Sequence, residues 1–183
     1  MTDSKIRLSK LDAARRQLDG AIELWFREAD PIVVHAVISG AYQISQDLNA
    51  KKGNKEATLA GWAELHIKPG HAKEALQIMR KPRNFVKHAD RDPDGILEFD
   101  HRATPYEILL TLHGLRALDG QTSDLQTAFV FWICVNKPNL VLEGENPFIK
   151  SLNAAQLAHL RQIEKSEFLA ATLIHLAQSK SKS

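Results

Sequence analysis

Between Arg83 and Asp100 the chain concentrates the residue types that carry chemistry. Arg83-Asn-Phe-Val-Lys-His88 sets a guanidinium, permanently charged and forked, ahead of an imidazole whose charge changes near neutrality. The first group suits an anionic oxygen and the second suits proton transfer. Arg80, Lys81 and Lys87 add positive charge around them. On one continuous helix Asn84 and His88 share a face, whereas Arg83 and His88 diverge by about 140 degrees. A single helix therefore does not bring that pair together.

The charge then reverses. Asp90-Arg-Asp92-Pro-Asp94-Gly95-Ile-Leu97 matches the first half of an EF-hand calcium loop, with oxygen ligands at alternate positions, a glycine for the turn and then an aliphatic residue. His101 stands where that loop needs a bidentate glutamate, and Pro93 stiffens the point at which it must curl. His88, Asp90, Asp92, Asp94 and His101 also offer imidazole and carboxylate ligands for a transition metal, at a spacing that matches no established metal motif. The plainer alternative is a carboxylate-rich turn that caps helices and pairs with Lys87, Arg91 or Arg102.

The pattern from Arg83 through Asn84 to His88 resembles the arginine, four-to-six residues, histidine signature of the HEPN superfamily, including the polar residue directly after the arginine. Asn84-Phe-Val-Lys-His-Ala-Asp-Arg-Asp-Pro-Asp94 is in addition similar to a segment of an uncharacterised group of bacterial helical proteins, a likeness that extends back to the first helix and implies no known activity. The HEPN resemblance implies a small helical bundle, typically a homodimer, that binds RNA or cuts it without a metal. In that setting Arg83 would clamp a phosphate, Asn84 would complete the motif, and His88 would move the proton when the RNA 2′-hydroxyl attacks. Lys87, Arg80 and Lys81 would meet the RNA backbone. The superfamily brings two copies of the motif together across its dimer, so this reading requires residues 83–88 of two chains to be apposed. The competing reading is a non-enzymatic interaction module in which Arg83 to Asp100 forms a polar junction or a partner surface.

Other chemistry is sparse. His35, His66, His71, His113, His159 and His175 stand singly, and His35 and His113 lie in apolar stretches where a hydrogen-bonded core histidine is expected. No Gly-rich phosphate loop, nucleophile elbow or Cys-His pair occurs, and no cofactor is expected. Cys134 is the single cysteine, which excludes an internal disulfide. A net charge of +2 gives no overall field of the kind that marks a strongly basic nucleic-acid protein. The longest apolar run, Ala128 to Val135, is too short to span a bilayer, and the cytoplasm is the expected compartment.

The elements that must position these groups are helical. With 183 residues, 44% of them apolar, the chain fits one domain, expected as an all-α bundle of about seven helices in up-and-down order with one irregular acidic loop. Leu11, Ala14, Leu18, Ile22, Trp25 and Phe26 mark a first helix over Ser9 to Phe26. Asp30-Pro31 opens a second, ending before Gly53, and Asn54 to Ile67 reads as a short third. His71 to Met79 is helical, Pro82 should break or kink it, and a short helix can restart there to carry Arg83 to Ala89. Asp-Pro-Asp-Gly predicts a turn and Ile96 to Phe99 a brief extended piece. Thr104-Pro-Tyr-Glu107 reads as a capping box for a helix from Pro105 to Leu118. Ser123 to Val135 fits a helix or a buried strand, and the absence of strand partners favours helix. Asn153 caps one long final helix through Leu176. Trp25, Phe26 and Trp132 are expected in the core, and residues 1–8 and 179–183 are expected to be flexible.

Overall fold

The computed structural model describes residues 5–61, 72–88, 90, 92–138, 147–150 and 152–181. Among them every regular element is helical and no strand occurs. Eight α-helices are delimited, together with two single turns of 3₁₀ helix. They fall into two compact units, Met1–Ala21 with Asp30–Gln121, and Ile22–Ala29 with Thr122–Ser183.

Helix α1 (Lys10–Phe26), which belongs to the first unit as far as Ala21, begins where Ser9 and Asp12 cap one another, the Asp12 N–H donating to Ser9 Oγ at 3.0 Å. Its Ala14, Leu18 and Ala21 are fully buried, the spacing of one helical face. Helix α2 (Pro31–Lys52) starts as Asp30 accepts from the Ile32 N–H at 2.8 Å, and stops at Gly53, whose φ of +77° only glycine adopts cheaply. The short helix expected after Asn54 is present as a 3₁₀ turn at Lys55–Ala57 and helical residues 59–61, and its remainder lies outside the described residues.

Of the break or kink expected at Pro82, the break does not occur: helix α3 (Ala72–Lys87) runs through it. The ring removes one backbone donor, yet contacts with α2, including Arg83 against Tyr42, hold the turn after the proline in the helix. Residues 92–95 make the expected turn, and the extended stretch after it forms no ladder.

Helix α4 (Thr104–Asp119) corrects the predicted capping box. Thr104 is itself helical, Ala103 precedes it without a side-chain cap, and the Thr104 hydroxyl is buried with no hydrogen-bond partner among the described residues. Glu107 cannot serve the cap because its carboxylate is engaged in the interior by His35 and Ser39. The chain enters α4 instead through a 3₁₀ turn at His101–Ala103, which Asp100 caps by accepting from the Arg102 N–H at 3.0 Å.

Helices α2 and α4 form the main pair of this unit. Asn49, fully buried, donates from Nδ2 to the Gly114 carbonyl at 2.8 Å and to the Ser45 carbonyl at 2.9 Å. Gly114 allows this approach, since a methyl group there would overlap the Ser45 hydroxyl oxygen. Lys52 donates to the Leu118 carbonyl at 3.1 Å, and Arg15 pairs with Asp119.

In the second unit, α5 (Asp124–Asn136) is a helix with a full capping box between Ser123 and Gln126. A short α6 (Pro147–Lys150) follows, and the expected long final helix is two: α7 (Ala154–Leu160), boxed by Asn153 and Gln156, and α8 (Lys165–Lys180). The apolar spacing continues across both, so periodicity hides the break. Arg161 Nε donates to the Val135 carbonyl at 2.9 Å, satisfying the end of α5, and Glu164 is extended. The aromatic centre is Phe26, Phe129 and Phe168, all buried, with Trp25 edge-on to Phe129 at 5.3 Å and to Trp132 at 4.7 Å. Trp25 and Trp132 are half-buried, not fully in the core. Helix α8 reaches Lys180, whose ammonium lies 2.7 Å from Asp124.

Substituting Gly114→Ala should destabilise the protein by about 1 to 3 kcal/mol through forced separation of α2 and α4. Adding Ser45→Ala, which removes the obstructing hydroxyl, should recover most of that loss in urea unfolding. Equal losses in the single and double variants would contradict close packing at this point.

Candidate functional site

Helix α3 carries its polar residues as two adjoining stripes, Lys81, Asn84 and His88 beside Arg80, Arg83 and Lys87, each at helical spacing. The first stripe borders an open groove of 710 Å³ that Arg80, Phe85 and Ile96 also line. Asn84 is exposed and His88 half-buried; His88 follows the last helical residue and its backbone N–H bonds the Asn84 carbonyl at 3.1 Å. Arg83 turns to the other side, where its guanidinium carbon stands 5.6 Å over the Tyr42 ring, bordering a depression with Gln43, Gln46 and Asp47. The structure thus brings Arg80, Lys81, Asn84 and His88 to one groove and leaves Arg83 outside it, the divergence that helix geometry requires.

Among the described residues no carboxylate lies within ion-pair distance of Arg80, Lys81, Arg83 or Lys87. The Lys87 ammonium is held below the usual lysine value, first by partial burial and then by the Arg83 charge, with Glu107 opposing both.

Asp90, Asp92 and Asp94 are exposed, and among the described residues no three His, Cys, Asp or Glu side chains come together as metal ligands. The Asp92 carbonyl accepts from the Gly95 N–H at 2.9 Å, closing a turn in which a β-carbon at Gly95 would press on the Asp92 carboxylate at 2.8 Å. Asp100 makes the pairing with Arg102, two hydrogen bonds of 2.8 Å each, and these hold its carboxyl down at about 2.

A further polar cluster lies beside α3. His35 Nδ1 is 2.8 Å from Glu107 Oε2, His35 Nε2 is 3.3 Å from Ser39 Oγ, and Ser39 donates to Glu107 Oε1 at 3.2 Å. The residue types are those of a nucleophile, base and acid, but Ser39 is fully buried and both imidazole nitrogens are occupied. The cluster works as a tie between α2 and α4. One side of it opens to a cleft of 520 Å³ lined also by Tyr42, Phe99, Tyr106, Arg80 and Lys81. Phe99 packs on His35 with ring centroids 5.0 Å apart. Tyr42 is 7% exposed, burial pushes its phenol up to about 12, and its hydroxyl bonds no described residue.

His35 is the hydrogen-bonded core histidine the sequence led one to expect. Its partner was hidden because Glu107 carries a local capping signal. His113 is exposed, contrary to expectation, since the buried face of α4 is set by Ile108, Thr111, Leu112 and Leu115 and His113 falls off it. No family model, no characterised protein and no solved structure matches the chain.

Glu107→Ala should cost about 1 to 3 kcal/mol in denaturant unfolding, because it strips an acceptor from two buried donors. Glu98→Ala, at an exposed carboxylate of the same cleft, should stay within about 0.5 kcal/mol of the parent. Equal effects would show that the buried cluster does not tie the helices.

Proposed function

We propose that the chain binds RNA along the exposed face of α3 and does so as a HEPN-like homodimer. The observation that carries this reading is the set of Arg80, Lys81, Arg83 and Lys87 on two turns of one helix, none within ion-pair distance of a described carboxylate, with Arg80 and Lys81 bordering a groove that Asn84, His88 and Asp92 also line. Uncompensated cations at this density favour a polyanion, and the phosphate backbone supplies one with regular spacing. Asn84 adds a donor and an acceptor for contacts beyond the phosphates.

Cleavage is part of the proposal and has a geometric condition. Arg83 and His88 border different depressions within one chain, so a phosphate held by Arg83 meets a proton-moving His88 only from a second copy. With residues 83–88 of two chains apposed, His88 takes the proton of the attacking 2′-hydroxyl, Arg83 stabilises the phosphorane charge, and the P–O5′ bond breaks to leave a 2′,3′-cyclic phosphate and a 5′-hydroxyl that receives its proton from the imidazolium of a His88. No metal enters that step.

Binding of a labelled mixed-sequence RNA should weaken with salt at a slope of about −0.7 per phosphate contacted, and Lys81→Gln should reduce the slope by about that unit. In EDTA, His88→Ala should abolish cleavage while changing affinity less than about threefold, since it removes a proton carrier and no fixed charge. Binding without cleavage would remove the catalytic part and leave RNA binding; no binding at low salt would overturn the reading in favour of a protein-interaction module.

A further inference from the structure

The cleft beside the cationic face has the parts of a pocket for a flat, edge-polar ring. Arg80 and Lys81 border both the open groove and this cleft, so a phosphate on those two cations sits at the cleft's mouth. The cleft is lined by Tyr42, whose ring is largely buried and whose hydroxyl bonds no described residue, and by Glu107, whose two oxygens each accept one internal hydrogen bond. A carboxylate oxygen accepts more than one hydrogen bond, so Glu107 keeps acceptor capacity in the cleft that Tyr42 also lines. The high value of the Tyr42 phenol keeps that donor protonated at any working pH.

The aromatic surfaces divide by use. Arg83 occupies the face of Tyr42 and Phe99 is packed on His35, whereas Tyr106 is 43% exposed at the cleft. Tyr106 is therefore the ring available for stacking. The volume of 520 Å³ falls in the range of about 300 to 1,000 Å³ found for small-molecule sites.

We infer that this cleft receives one unstacked base of the bound RNA, stacked on Tyr106, with its polar edge between the Tyr42 hydroxyl and the Glu107 carboxylate and its phosphate on Arg80 and Lys81. The inference rests on the RNA reading of α3 and extends it from backbone attraction to base contact, the usual way single strands are told apart from a bare charged chain. It assigns a role to Tyr42, Tyr106 and Glu107, which lie outside the Arg83 to His88 motif.

The test compares a short single-stranded RNA with an abasic phosphodiester chain of the same length, using the full chain and its Tyr106→Ala and Tyr42→Phe variants. The parent should prefer the base-bearing strand by about tenfold, and Tyr106→Ala should erase most of that preference without changing the salt slope. Tyr42→Phe should lose about fivefold for the base-bearing strand and nothing for the abasic one, with an unchanged melting temperature. RNA binding that depends on Lys81 but is indifferent to bases, Tyr106 and Tyr42 would overturn the inference and leave the α3 reading standing. Absence of RNA binding by the parent would overturn both.

Discussion

The carboxylate of Glu107 is the point on which the first unit turns. Placed largely out of solvent, it is stable only because His35 and Ser39, one helical turn apart on α2, both reach it. That attachment fixes the upper half of the α2 and α4 pair, as Asn49 and Gly114 fix the lower half. Removing Glu107 leaves two buried polar groups unpaired, which costs more than its hydrogen bonds add.

Two further placements follow from it. Tyr42 lies on α2 two turns beyond His35 and presents its ring to Arg83, so the α2 and α4 pair also sets where α3 carries its cations. Phe99 rests on the His35 ring and brings the chain after the acidic turn down onto the same cleft. Charge is distributed accordingly. Glu107 favours the Lys87 ammonium while Arg83 opposes it, and among the described residues no carboxylate comes within ion-pair distance of the four cations of α3.

Much of this was legible locally. Ser9 with Asp12, Asp30-Pro31, Ser123 with Gln126 and Asn153 with Gln156 each cap a helix as their side-chain chemistry dictates, because both partners lie within one turn. The neighbours Arg80, Lys81, Asn84 and His88 were equally readable, since one helix spaces them. What escaped depends on distant contacts. Glu107 carries the local signal of a capping box but answers to His35, Pro82 carries the signal of a break but α2 holds the helix on, and Arg161 sits in an unbroken apolar rhythm while it serves Val135. The cleft draws on α2, α3, the chain before α4, and α4 itself, and no spacing in the sequence announces that assembly.

The most direct measurement is the backbone amide spectrum of the labelled full chain as a single-stranded RNA is added. The expected result is a set of shifts confined to residues 80–88 and 97–107, on the cationic face of α3 and along the cleft, with α5 and α8 unchanged. Shifts centred on residues 124–136 and 165–180, or none at saturating RNA, would contradict the assignment of RNA binding to α3 and its cleft.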